Sequence, residues 1–117
     1  MTPKETIIDQ SRKLFIVLSD YVDKMPRNLK FTVGDRIITN NLDLMECLIE
    51  AYYGKKNERL EKINKANVKL EIIRQIMRYL FETNRHNLKK HEHLNKELDT
   101  IGMNLGGWRK QLLGNNS

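Results

Sequence analysis

From Lys55 to Phe81 the apolar residues Leu60, Ile63, Ala66, Leu70, Ile73, Met77 and Leu80 recur in steps of three and four without a break. No other feature limits the fold so tightly. Those steps stack side chains along one stripe of an α-helix, whereas on a strand they would scatter over both faces. Leu94, Leu98, Ile101, Leu105, Trp108 and Leu112 repeat the pattern near the C-terminus. A helix with one narrow apolar stripe is stable when that stripe is buried against other helices, so the chain is expected to fold as an all-α bundle.

Two further helices complete it. In Thr2-Pro3-Lys4-Glu5 the threonine suits an N-cap, the proline a first helical position, and the glutamate the closing of a capping box. Ile7, Leu14, Leu18, Tyr21 and Met25 then form a stripe widened by Ile8, Phe15 and Val22, which Pro26 should stop. The stretch from Met25 to Phe31 reads as a linker. Thr32 to Asp35 offers a second capping box before Ile37, Ile38, Leu42, Leu44, Met45, Leu48, Ile49 and Tyr52, and Gly54 stands where a C-cap glycine belongs. Glu82 to Asn87 lacks the rhythm and reads as a turn, and Gly114 with its polar tail should end the last helix. The predicted helices run about 3–25, 33–53, 55–82 and 88–113. Short joins between segments of similar length predict an up-down-up-down antiparallel four-helix bundle, one domain over residues 1–117.

The remaining composition narrows the function. With 39% hydrophobic and 31% charged residues the sequence reads as that of a soluble helical protein. Its longest hydrophobic run, Leu14 to Leu18, is far too short to cross a membrane, and no secretory h-region stands at the start. Cys47 has no second cysteine to pair with and sits in an apolar pattern as a small core side chain, which fits a reducing, cytoplasmic setting. His91 and His93 are two apart and point to different sides of a helix, and His86 falls in the turn, so surface histidines are expected. No zinc spacing is completed. Glu46 and Glu50 stand one turn apart, but neither Glu92 nor Glu97 has a histidine three positions on, as a di-metal carboxylate bundle would require. No phosphate-cradling loop or nucleophile elbow is present. The expectation is a protein without metal, cofactor or catalysis.

Charge is more informative. Residues 1–54 carry seven Lys/Arg against eight Asp/Glu, net −1, while residues 55–117 carry fourteen against seven, net +7. Such asymmetry suggests a polyanionic partner, nucleic acid before membrane. Lys55, Arg59, Lys62, Lys65 and Lys69 fall within an arc of roughly 120° on the third helix. That stripe reads either as a solvated face or as a phosphate-contacting one. The residues assigned to nucleic-acid contact are Arg27, Lys30, Lys55, Lys56, Arg59, Lys62, Lys65, Arg109 and Lys110, with Arg85, Lys89 and Lys90 supplying further cations in the turn. Base-specific reading is not expected, for there is no zinc-finger or helix-turn-helix signature and no aromatic-rich strand.

Arg74 and Arg78, beside Ile72 and Ile76, suit a protein interface, the alternative being intrahelical pairs with Glu71 or Glu82. Gly102, Gly106 and Gly107 each cost a helix interior about 1 kcal/mol against alanine. Close packing would offset that, either within the bundle or between copies of it, with Trp108 filling the space beside the gap.

Taken in order, Pro26-Arg27, Val33-Gly34-Asp35-Arg36, Leu70-Glu71-Ile72-Ile73-Arg74 and Ile101-Gly102-Met103-Asn104-Leu105-Gly106-Gly107-Trp108-Arg109-Lys110 resemble one four-helix-bundle family over nearly the whole chain. That family contains Avd, the accessory variability determinant of diversity-generating retroelements, and the proteins encoded in ribosomal-RNA intervening sequences. The resemblance implies a four-helix protomer that assembles as a homopentamer and binds the retroelement's reverse transcriptase and its template RNA during mutagenic cDNA synthesis. It leaves open an intervening-sequence bundle that acts as a protein-interaction module.

Overall fold

A computed structural model describes residues 3–115 of the chain, with side chains from residue 6 to 114. It contains four long helices, α1 (Pro3–Asp23), α2 (Asp35–Tyr53), α3 (Arg59–Glu82) and α4 (Leu88–Asn115), and no strand among the described residues. Cross-helix pairs give the directions. Lys62 meets Glu50 and Lys69 meets Asp43, so α2 and α3 run oppositely. Arg74 meets Asp99 and Arg109 meets Asn64, so α3 and α4 do as well. Asn104 reaches Gln10, and His86, just before α4, reaches Tyr21, which sets α1 antiparallel to α4. The result is an all-α up-down-up-down bundle with extents of 47 × 23 × 23 Å.

The apolar stripes make the core. Ile63, Ala66, Leu70, Ile73, Met77 and Leu80 of α3 are buried against Leu94, Leu98, Ile101, Leu105 and Trp108 of α4, with Leu60 and Leu112 half-buried at the ends. Each such side chain contributes about 1.5–3 kcal/mol by leaving water. The core also holds polar groups that apolar periodicity does not register. Asn41, fully buried in α2, donates to the Ser11 carbonyl of α1 at 3.3 Å, and the Ser11 hydroxyl donates back to Ile8 at 2.7 Å.

The junctions depart from expectation. Thr2 and the side chain of Glu5, and with them the expected first capping box, lie outside the described residues. Helix α1 stops at Asp23, two residues early, as the Met25 N–H turns back to the Val22 carbonyl at 3.0 Å. The expected linker is helical: an α-turn, Arg27–Leu29, and a π-turn, Lys30–Gly34, run directly into α2. Thr32 therefore lies inside a helix. Its hydroxyl donates to the Asn28 carbonyl at 2.7 Å instead of capping Asp35. Gly34 lets this turn press on α1, because a Cβ there would stand 2.8 Å from Val22 Cγ1 and 3.3 Å from the Leu29 carbonyl oxygen.

Gly54 does end α2, though with φ −85° and not in the left-handed region. A Cβ at that position would run into the Glu50 carbonyl oxygen that its N–H bonds at 2.8 Å. A 3-10 turn, Lys56–Glu58, precedes α3, which starts at Arg59. At the far end, α4 runs through Gly114 to Asn115, so Gly114 does not terminate it.

Candidate nucleic-acid interface

Ion pairing decides which cations are available to a partner. On α3 the expected stripe is largely neutralised. Lys62 Nζ lies 2.8 Å from Glu50, and their hydrogen bond holds the lysine above and the glutamate below their ordinary pKa values. Lys65 pairs with Glu61 at 3.7 Å and Lys69 with Asp43 at 3.4 Å. Lys30 stands 3.6 Å from Asp23, and Arg109 donates to the Asn64 side chain at 2.9 Å. Among the described residues no carboxylate pairs with Arg27, Lys55, Lys56, Arg59 or Lys110, nor with Arg85, Lys89 or Lys90. Helical arcs place residues on a face but say nothing of acids on the neighbouring helix, and this is why the stripe looked more cationic in the sequence than it is.

The sequence-assigned cations do not form one site. Lys55, Lys56 and Arg59, at the α2–α3 connection, share a pole with Arg109 and Lys110 near the end of α4. Arg27 and Lys30 lie at the opposite pole, across the long axis of the bundle, with Arg85, Lys89 and Lys90 of the α3–α4 turn. There Arg27 and Lys30 both stand 5.9 Å from the centre of the Phe31 ring, which is 59% exposed on the π-turn.

Defined local motifs build this second pole. Asn84 adopts φ 59°, and the bonds Arg85 N–H to Leu80 O (2.7 Å) and Asn84 N–H to Phe81 O (3.0 Å) form a Schellman ending to α3. Asn87 then caps α4 through the Lys90 N–H at 2.8 Å. Between these motifs and the end of α1 lies a cleft of about 240 Å³ lined by Tyr21, Lys24, Met25, Pro26, Leu29, Leu80, Arg85 and Lys90.

Two histidines expected on the surface are partly buried beside it. Tyr21 Oη and His86 Nδ1 are 2.6 Å apart, His86 Nε2 and His91 Nδ1 3.0 Å, and His91 Nε2 and the Asn95 amide 3.0 Å, while Phe81 stacks on His91 at 4.4 Å. Burial raises the Tyr21 hydroxyl to about 12 and, with His91 and Lys90 nearby, lowers His86. The sequence signal was present in the five-residue spacing of the histidines. It was missed because Tyr21 joins them from a distant helix.

The residues assigned to protein contact divide as well. Ile72 and Ile76 line an apolar groove of about 840 Å³ between the start of α2 and α3, with Val33, Val68 and Tyr79. Arg74 turns away from that groove onto Asp99, with a second contact to the Leu98 carbonyl at 3.3 Å. Gly102 makes room for it: a Cβ there would lie 2.8 Å from Arg74 Nη2 and 3.5 Å from Leu70. Arg78 pairs within its helix to Glu82 at 2.9 Å. Trp108, expected at a subunit contact, is 3% exposed because it is the fifth residue of the α4 core stripe. Gly106 and Gly107 occupy the opposite side, where an added Cβ meets nothing within 4 Å. The close packing expected of the glycines is therefore intramolecular at Gly102 and absent within the chain at the other two.

Cys47 is a buried free thiol, raised in pKa chiefly by burial, the environment of an inert core side chain. Among the described residues no cluster of three or more metal-ligating side chains occurs, and no helix is long and apolar enough to cross a membrane.

A family model described as bAvd-like matches residues 6–112. No curated protein matches the chain in sequence. Among solved structures, the crystal structure of a protein with unknown function from the S23 ribosomal protein family of Bacteroides thetaiotaomicron is similar, with a TM-score of 0.85 at 15% identity, covering 93% of this chain and 99% of that one. At that identity the likeness carries the fold alone.

Proposed function

We propose that this chain, which belongs to the bAvd-like family, is a non-catalytic accessory protein of a diversity-generating retroelement. In this role it binds the reverse transcriptase and its template RNA or cDNA as a homo-oligomer, a pentamer on the pattern of Avd. The observation that carries the reading is the set of cations that have no carboxylate partner among the described residues, at both poles of the bundle. Each such cation contacts phosphate without first breaking an ion pair. Binding by charge and shape needs little else. The apolar groove of α2 and α3 supports self-association, since Val68 and Tyr79 leave an extended apolar surface open beside Ile72 and Ile76.

The test is inspection of the neighbouring genes for a reverse transcriptase, followed by co-expression of this chain with it. Retention of polymerase and template RNA on the tagged bundle supports the role, and a polymerase that passes through unbound refutes it. The same groove favours one alternative, a protein-interaction module of the intervening-sequence type. An open reading frame inside a ribosomal-RNA gene, with no reverse transcriptase nearby, would select it.

A further inference from the structure

The 240 Å³ cleft at the Arg85 pole has the chemistry of half a ligand on each side. Its apolar lining is Met25, Pro26 and Leu29, with fully buried Leu80 behind them. Its rim is cationic, and two of its cations have no carboxylate partner among the described residues. Lys24 is held by Asp20 at 3.0 Å, but Arg85 makes no ion pair and Lys90 leans over the Tyr21 ring at 5.7 Å. Both of these cations line the cleft from backbone held by local motifs. The Schellman ending of α3 ties the Arg85 N–H to the Leu80 carbonyl, and the Asn87 cap ties the Lys90 N–H in the first turn of α4.

A ligand that fits such a cleft has a flat apolar body and an anionic end. The volume lies below the roughly 300–1,000 Å³ of ordinary small-molecule pockets, and suits one ring system. We infer that this cleft receives one unpaired nucleotide of a single-stranded nucleic acid, its base against Met25, Pro26 and Leu29 and its phosphate between Arg85 and Lys90. The inference rests on the nucleic-acid part of the proposed function and adds where and in what form the strand is held. Exposed Phe31, with Arg27 and Lys30 beside its ring, offers a second stacking surface at the same pole. Apolar and cationic contacts do not read base edges, so the site tolerates any sequence.

Fluorescence anisotropy with a labelled short single-stranded RNA, the matching blunt duplex and a free mononucleotide tests this in the full chain. The expected result is tighter binding of the single strand than of the duplex, competed by mononucleotide at high concentration. Arg85→Glu with Lys90→Glu should weaken single-strand binding by at least about tenfold, while Lys13→Glu with Lys96→Glu, an equal charge change at exposed lysines outside both poles, leaves most of it. An unchanged urea midpoint shows that each variant is folded. Equal loss from both pairs, or equal affinity for strand and duplex, overturns the cleft while leaving charge-driven binding intact. Failure of every form to bind nucleic acid overturns both.

Discussion

Replacing Gly106 and Gly107 together with alanine should stabilise the protein, and replacing Gly34 with alanine should destabilise it. At the first two positions an added Cβ meets nothing within 4 Å, so only the helix-propensity gain remains, about 0.5–1 kcal/mol each. The pair should gain about 1–2 kcal/mol. At Gly34 the same gain is opposed by contacts at 2.8 Å to Val22 Cγ1, 3.3 Å to the Leu29 carbonyl oxygen and 3.5 Å to Met25 Sδ. Val22 is a buried core residue and the carbonyl is backbone, so neither moves freely. Overpacking of this kind costs about 1–3 kcal/mol, which leaves a net loss of up to about 2 kcal/mol. Urea unfolding at fixed chain concentration reads both, since a slope of about 1–3 kcal/mol/M converts them into midpoint shifts of several tenths of a molar or more in opposite directions. A lower midpoint for Gly106→Ala/Gly107→Ala would refute the reasoning, because something other than this chain would then have to close over the bare face of α4.

Acidification from about pH 7 to about pH 5.5 should destabilise the fold. His86 binds its proton less readily when folded, so the unfolded state gains protons first as pH falls through about 6.5. His86→Gln should flatten that slope, and an unchanged slope would contradict it. Glu50 and Asp9, both held below their ordinary values, lose their contribution only at lower pH. Lys62→Glu should lower the thermal midpoint more than Lys56→Glu, because only the former sets a second carboxylate against Glu50; equal shifts would show that the pair contributes nothing. Val68→Lys with Ile72→Lys should reduce the solution mass of the assembly without unfolding the protomer, as judged by light scattering and circular dichroism, if the α2–α3 groove joins copies.

What the sequence made legible is what repeats along one helix. The α3 and α4 stripes, the order and direction of the helices and the buried Cys47 all follow from periodicity and short connections. Three features do not, because each depends on a residue far away in sequence. The π-turn exists because Gly34 lets it pack on Val22, so a stretch with linker composition is helical. Lys62 and Lys69 of the basic stripe are paired by Glu50 and Asp43 on another helix. The cleft is assembled from the end of α1, the π-turn's approach and the α3–α4 turn, so its cations scatter over residues 24–90 in the sequence. The same limit explains Gly102, whose helical spacing marks a bare patch but not the Arg74 guanidinium that fills it.

Light scattering with absorbance at 260 and 280 nm on protein purified at low salt tests the account most directly. It predicts a particle of several times the 13.9 kDa chain mass that carries nucleic acid, with the nucleic acid released by raised salt as phosphate contacts are screened. A particle of single-chain mass, free of nucleic acid at every salt concentration, would contradict it.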